Sequence, residues 1–441
     1  MHDVIDMKIA VVLGTRPEII KMAPVIDEIR RRGLEFTLIH TGQHYDHEMS
    51  DQFFIDLELP SPHHNIGAGS GSHGEMTAEM LRGIEEVLAE EEPDIVMVQG
   101  DTNAVLAGAL AAVKLHIPVG HVEAGLRSFD RTMPEEINRM VADACSKLYY
   151  VPTEESGINL LMEGADPDNV FITGNTVVDA CLRNIEIASR SLEVLSGFQD
   201  DEKLVVLTLH RAENVDNPER LRSIIEAVLE LREFRIVFPV HPRTRKNLEE
   251  QGLYRKLMEA DHVSIHKPMG YLDFLLLLSN SFMILTDSGG LQEEAITFNV
   301  PCLTLRYNTE RPETVDAGGN ILVGADRDRI ISTARKILED PEFRDRMMEA
   351  DNPYGDGHAS ERILDETIRL YREGRLGMEP PREVTGSFRR KLVRVDEDVT
   401  AGEFRRRHDA VIRMIYDCEG EPVFPAEGVN LRGTHVLIET R

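Results

Sequence analysis

Short continuous apolar runs recur along most of the chain, each closing on a charged or glycine-bearing loop and followed by a stretch of helical periodicity. The first is Lys8–Gly14. A run without polar alternation marks a strand buried on both faces, as in a parallel sheet. Behind it Ile19, Met22, Ala23, Ile26 and Ile29 stand at helical spacing, and Gly33 ends that helix. Phe36–His40, Asp94–Gly100, Ile117–Val122, Leu148–Val151 and Val170–Gly174 repeat the unit. A second series follows in Leu204–Leu209, Ile236–Val240, Met283–Thr286 and Cys302–Leu305. Repeated strand–helix units predict doubly wound parallel sheets, so the fold class is α/β with two Rossmann-like domains. Two such sheets with facing strand ends would form a central cleft, the usual place for a ligand.

Three stretches break the alternation. Residues 60–75, with Pro60-Ser61-Pro62 and the glycine–serine run Gly67–Ser72, read as a surface connector. The polar segment Ser196–Glu202 separates the two series and is taken as the domain boundary. Beyond Met378 the character changes: Lys391–Val395 and His435–Glu439 alternate like strands, with Gly and Pro between them. Before that change, residues 359–374 read as a helix with Ser360 as N-cap and Gly374 as stop. The expected organisation is a first Rossmann-like domain at 1–195, a second at 196–358, a helix at 359–374 and a small β-rich extension at 375–441. That extension holds too little core to stand alone, so it should pack against the body of the protein or a partner subunit.

Charge narrows the function. A net charge of −29 over 441 residues argues against nucleic acid as principal partner, because a phosphate backbone calls for a basic surface. It leaves room for an anionic small molecule, which needs only a local cluster of cations. Tryptophan is absent, so aromatic stacking platforms are scarce. No apolar run approaches the length of a membrane span, and the N-terminus lacks a signal peptide's regions, so no membrane association and a cytoplasmic location are expected. The four cysteines lie far apart with no close pair to suggest zinc, and no metal is expected.

Chemistry gathers at the strand ends. His121-Val122-Glu123-Ala124-Gly125-Leu126-Arg127 leads into Pro134-Glu135-Glu136-Ile137-Asn138-Arg139, where Pro134 opens a helix and the two glutamates suit its N-terminal dipole. Asp101, after Gly100, is either a helix N-cap or a carboxylate directed into the cleft. His210-Arg211-Ala212-Glu213-Asn214 suits phosphate contact, and His241-Pro242-Arg243 repeats the theme less specifically. Arg306 and Glu310-Arg311-Pro312-Glu313 end another strand, as a site or as a salt-bridged surface loop. Phosphates are held by cations or by the unpartnered N–H groups of a helix N-terminus. Two places fit: Asp287-Ser288-Gly289-Gly290-Leu291-Gln292-Glu293-Glu294, and Gly14-Thr15-Arg16-Pro17-Glu18 with Lys21. No G-x-G-x-x-G follows the first strand and no Walker A run occurs, which disfavours ordinary dinucleotide binding.

Taken together and in order, these motifs resemble the non-hydrolysing UDP-N-acetylglucosamine 2-epimerases, from about residue 7 to 372. The resemblance implies the GT-B architecture, with a UDP-binding second domain, and with the 359–374 helix crossing back to the first. It implies interconversion of UDP-N-acetylglucosamine and UDP-N-acetylmannosamine by elimination of UDP to 2-acetamidoglucal and re-addition, supplying a nucleotide sugar for glycan synthesis without any cofactor. Carried over residue by residue, the catalytic set is Asp101, Glu123, Glu135 and His210. The substrate-binding set is Arg16, Lys21, Arg139, Ser288, Gly289, Gly290, Glu294 and Arg311. UDP-N-acetylglucosamine and UDP are the implied ligands and a homodimer the implied assembly. Thr41-Gly42-Gln43-His44-Tyr45-Asp46 departs from members in which a second substrate molecule activates, and also resembles relatives that epimerise UDP-2,3-diacetamido-glucuronic acid, the alternative substrate. A GT-B glycosyltransferase is a further alternative, disfavoured by retention of all three carboxylates. Around Asp398–Glu403 the tail is faintly similar to the β-clip domains of sialic acid synthases.

Overall fold

The computed structural model describes residues 5–42, 47–69, 71–191, 193–196, 203–377, 389–408 and 410–440. The chain forms two compact units, one of Met1–Asp179 with Gly357–Arg441 and the other of Ala180–Asp356. The changeover falls within the helix Thr176–Ala188; of the polar segment expected as the boundary, Gly197–Glu202 lie outside the described residues.

In the first unit the strands are β1 (Lys8–Leu13), β2 (Glu35–His40), β3 (His64–Asn65), β4 (Ile95–Gln99), β5 (Val119–Val122), β6 (Leu148–Val151) and β7 (Val170–Ile172). They pair in parallel in the order β3-β2-β1-β4-β5-β6-β7. The central strands β1, β4, β5 and β6 are buried almost throughout, as their uniform apolar runs require. The second unit repeats the plan with β8 (Leu204–Thr208), β9 (Arg235–Pro239), β10 (Val263–His266), β11 (Met283–Thr286), β12 (Cys302–Thr304) and β13 (Asn320–Leu322), in the order β10-β9-β8-β11-β12-β13. Strand order reverses between β1 and β4 in one sheet and between β8 and β11 in the other. Ligands of doubly wound sheets bind beyond the carboxyl ends of the strands at such reversals. The loops there begin at Gly14, Gly100, Leu209 and Asp287.

Two local expectations need correcting. Residues 60–75 are more than a connector: they contain β3, and Ser72 caps the helix His73–Glu91 through a reciprocal pair of contacts with Glu75. The helix Ala359–Arg372 is not capped by Ser360. Its first N–H groups, those of Ala359 and Ser360, donate instead to the carboxylate of Asp179, at 3.1 and 2.8 Å. An acceptor 180 residues away cannot be read from local sequence. Gly374 does end this helix, at φ +67°, with Arg375 N–H returning to Leu370 O. The helix packs on Arg16–Arg31, where Arg32 meets Asp365 at 2.6 Å.

The tail adds an antiparallel sheet of β14 (Arg389–Val395), β15 (Ala410–Tyr416), β16 (Pro422–Val423) and β17 (Thr434–Thr440), ordered β14-β17-β15-β16, with the helix Ala401–His408. One side of this sheet closes its own small core around Phe404, Ile412, Leu431 and Val436. From the other, Met414 and Phe424 join Ala124, Tyr149, Val151 and Leu160 of the first unit in a single buried cluster. Gly157 permits that contact, since a Cβ there would lie 2.9 Å from the Phe424 ring.

Candidate active site

Asp101 and Glu123 leave neighbouring strands side by side, because β4 pairs with β5 and Gly100 N–H donates to Val122 O at 3.1 Å. Glu123 adopts φ +67°, a left-handed conformation that costs a non-glycine residue about 1–2 kcal/mol. The turn is held because the N–H groups of Glu123 and Ala124 both donate to Tyr150 O, at 3.0 and 3.2 Å. Its carboxylate is thereby turned into the protein, 8% exposed. There Lys21 Nζ donates to both oxygens at 2.9 and 2.8 Å, and the Gln99 amide donates to Oε2.

Of the alternatives left open for Asp101, the N-cap is excluded. Thr102, not Asp101, caps the helix Asn103–Lys114, its hydroxyl accepting from the N–H groups of Ala104 and Val105. The Asp101 carboxylate instead pairs with Arg139, while the Asn138 amide donates to the Asp101 carbonyl at 2.9 Å. Two carboxylate–cation pairs, Glu123–Lys21 and Asp101–Arg139, therefore stand at adjacent strand ends.

Pro134 does open the helix Pro134–Cys145, but its two glutamates part ways. Glu135 is exposed in the first turn, while Glu136 is buried. Glu136 accepts from Ser128 N–H and Oγ, both at 3.0 Å, from Phe129 N–H at 2.9 Å and from Arg139 at 2.9 Å. Burial opposes its charge, yet these donors hold the carboxyl below the ordinary range. Glu136 thus ties the preceding loop to Arg139. Arg16 is exposed and lies over the Phe53 ring at 5.6 Å.

Of the two helix N-termini proposed for phosphate, one is already filled. Glu18 is buried and accepts from Thr15 N–H (2.6 Å), Gly14 N–H (3.2 Å) and the Thr102 hydroxyl (2.9 Å). Burial, opposed by those donors, pushes its pKa up to about 7 from 4.5. A carboxyl with a raised folded-state pKa binds more protons folded than unfolded. Its contribution is therefore most favourable below the unfolded pKa and is lost as pH rises from about 4.5 through about 7. Glu18→Gln should remove this dependence. Between pH 5 and pH 8 the wild type should lose on the order of 3 kcal/mol relative to the variant, and chemical denaturation at both values that gives a constant difference would refute the assignment.

In the second unit the fully buried Asp287 organises the reversal between β8 and β11. Its carboxylate accepts from His210 N–H (3.1 Å), Arg211 N–H (3.0 Å) and the Asn214 amide (3.3 Å), and lies 3.2 Å from His210 Nδ1. This pins the His210 turn beside the helix Gly289–Thr297. Ser288 precedes that helix without capping it by its side chain, and Gly290 is open on its Cβ side. Glu310 rests at the same helix end: a Cβ on Gly289 would lie 3.2 Å from Glu310 Oε2. Its carboxylate meets Arg306 at 2.9 and 3.1 Å and Arg211 at 3.5 Å. Burial opposes ionisation of Glu310, but Arg306 and Arg211 lower its pKa overall. A carboxylate thus sits where two arginines and a helix N-terminus make an anion position. Arg311 is committed to the buried Glu293, and Glu294 is half-buried one residue on. By contrast, His241 caps the helix Pro242–Glu250 and Arg243 pairs with Asp216, which makes that motif structural.

Gln99, Glu136, Asp143 and Asp287 carry no individual role in the sequence reading, although Glu136 and Asp287 stand inside its motifs. For two of them a signal existed: Glu136, Arg139 and Asp143 lie at i, i+3 and i+7 on one helical face. Among the described residues no group of three or more His, Cys, Asp or Glu side chains is arranged to hold a metal ion, and no helix is long and apolar enough to cross a membrane. Residues 43–46 of the Thr41–Asp46 motif lie outside the described residues.

The chain matches the family model described as UDP-N-acetylglucosamine 2-epimerase over residues 27–367. It is 50% identical over 364 residues to the UDP-N-acetylglucosamine 2-epimerase of Methanocaldococcus jannaschii, covering 81% of this chain and 98% of that one. The chain belongs to this family. It is also 42% identical to a UDP-2,3-diacetamido-2,3-dideoxy-D-glucuronate 2-epimerase of Pseudomonas aeruginosa, across 82% of this chain and 100% of the relative. A solved structure of the M. jannaschii enzyme in complex with UDP-GlcNAc and UDP superimposes with a TM-score of 0.70 at 49% identity, covering 82% of this chain and all of that one. The family match ends at residue 367, so the sheet of β14–β17 lies beyond it. As the family requires, the fold is GT-B-like: two parallel α/β sheets, here with a small antiparallel sheet added.

Proposed function

We propose that this epimerase interconverts UDP-N-acetylglucosamine and UDP-N-acetylmannosamine without hydrolysis. The observation that carries the reading is the two carboxylates each paired with a cation, Glu123 with Lys21 and Asp101 with Arg139, at the strand-order reversal of the first sheet. Inverting C2 demands that a weakly acidic C–H bond be broken on one face of the sugar and remade on the other. Loss of the C2 proton together with cleavage of the C1–O bond gives 2-acetamidoglucal and UDP. The UDP oxygen then returns to C1 while C2 takes a proton on the opposite face. Carboxylates held near cations suit the two proton transfers. The departing diphosphate is stabilised by fixed positive groups, for which Arg211, Arg306 and the N–H groups of Gly289 and Gly290 are assigned, with Ser288 and Arg311 beside them. Glu294 is assigned to the ribose hydroxyls and His210 to the pyrophosphate, and Arg16 keeps the substrate-binding role that the family resemblance implies. Glu135, exposed at its helix start, is assigned to the sugar side. A cytoplasmic homodimer is part of the same reading, and light scattering tests its assembly.

Incubation with UDP-N-acetylglucosamine in deuterated water should place deuterium at C2 with UDP still attached. Free sugar, or transfer to an acceptor, would overturn the proposal. The relationship to the diacetamido-glucuronate epimerase supports a second reading in which that sugar is the substrate; offering both nucleotide sugars under the same exchange conditions separates the two.

Glu310 supplies a further prediction. Its carboxylate competes with a phosphate for Arg306 and Arg211, so Glu310→Gln should tighten UDP binding by roughly 1 kcal/mol, about five-fold. Weaker binding in a calorimetric titration would show that Glu310 assists the ligand instead.

A further inference from the structure

His121, at the third position of β5, is completely buried. Its Nδ1 lies 2.6 Å from Asp143 Oδ1 and its Nε2 lies 2.8 Å from Gly100 O. A backbone carbonyl can only accept, so Nε2 carries a proton. Asp143 also accepts from Arg127 at 2.7 Å and from Gly125 N–H at 3.3 Å. With a guanidinium on its other oxygen it stays ionised, so Nδ1 carries a proton as well. The ring is therefore an imidazolium. Burial disfavours that charge, but Asp143 beside it outweighs the cost and raises the ring above the ordinary histidine range, while Asp143 is lowered. The surrounding elements supply the other charges: Arg127 opposes the ring, Glu163 of the helix Glu154–Glu163 neutralises Arg127, and Tyr149 of β6 faces Asp143 with its phenol pushed up, chiefly by burial.

The connections of this cluster give it a purpose. Gly100 O belongs to the residue before Asp101, and Gly125 N–H lies two residues past Glu123. We infer that His121 is a positioning residue for the epimerisation: clamped by Asp143, it sets the Asp101 strand end against the strained Glu123 turn. The inference rests on the roles proposed above for those two carboxylates. A turn holding a non-glycine residue at positive φ persists only where its surroundings over-determine it, and this buried network does so from beneath. Loss of the Nδ1 proton would leave a lone pair facing the Asp143 carboxylate, so the register should fail as pH rises through the titration of His121.

The test uses the full-length protein. Nitrogen-15 NMR should find both His121 ring nitrogens protonated at pH 7.5, and a single neutral tautomer there would overturn the inference. His121→Phe should bind UDP within about three-fold of wild type, yet lose roughly ten-fold or more in kcat, the scale of misplaced reacting groups. An unchanged kcat would overturn it. Should that variant fail to fold, Asp143→Asn serves in its place. There a neutral His121 can still donate from Nε2 to Gly100 O and accept the asparagine amide at Nδ1. Its ring should titrate lower, and the alkaline fall of kcat should move down with it; a wild-type pH profile in that variant would overturn the inference. Absence of C2 exchange in the wild type would count against the epimerase reading alone, since the NMR measurement does not depend on turnover.

Discussion

Glu123→Gln should retain UDP binding and lose turnover by roughly two orders of magnitude or more, the scale of a missing acid–base group. The substitution is nearly isosteric, so the amide oxygen can still accept from Lys21, which lies 2.9 Å from Oε1. The turn should survive too, because it is held by backbone donation to Tyr150 O rather than by the carboxylate. What should disappear is the charge and, on the role proposed for Glu123, the capacity to exchange a proton at C2. Deuterium exchange at C2 measures the loss, and a calorimetric UDP titration on the same sample shows that the fold remains. Turnover within ten-fold of wild type would remove Glu123 from the chemistry and leave its buried pair with Lys21 as a structural one.

Phe424→Ala should cost about 3–5 kcal/mol, the usual range for emptying a buried aromatic position. Phe424 fills space in a cluster with Ala124, Tyr149, Val151 and Leu160, and Gly157 opposite it has no side chain with which to close the gap. The added sheet should loosen from the first unit, with a fall in melting temperature read by calorimetry. Among the described residues the tail brings no charged group to the β1/β4 reversal, so kcat well below the melting temperature should stay within a few-fold of wild type. A large fall in kcat without a fall in stability would show that the tail braces the Glu123 turn and takes part in function.

How far the site could be read before folding depended on the kind of residue. Asp101 illustrates the limit: beside Thr102, two residues could cap the same helix, and the choice turned on Arg139, 38 residues away, which claims the aspartate. Pro-Glu-Glu was equally ambiguous, because a helix start tolerates acids at either position. Only the loop at Ser128 and Phe129, with its donors facing inward, decides that Glu136 is the buried one. The N-terminus of Arg16–Arg31 has the composition of a phosphate cradle, and its own Glu18 fills it.

By itself the sequence determined the doubly wound units, because strands buried on both faces must be uniformly apolar and the helices that cover them must carry a stripe at 3.6-residue spacing. It also placed the charged loops at strand ends, since polar groups cannot lie inside such a sheet unpaired. Tertiary structure alone decided which charges meet: Lys21 with Glu123 across 102 residues, His121 with Asp143, and the tail's Phe424 against Gly157. Periodicity records how a segment is solvated, a local property written every few residues. Pairing depends on where two distant segments come to rest, and that is set by the packing of everything between them.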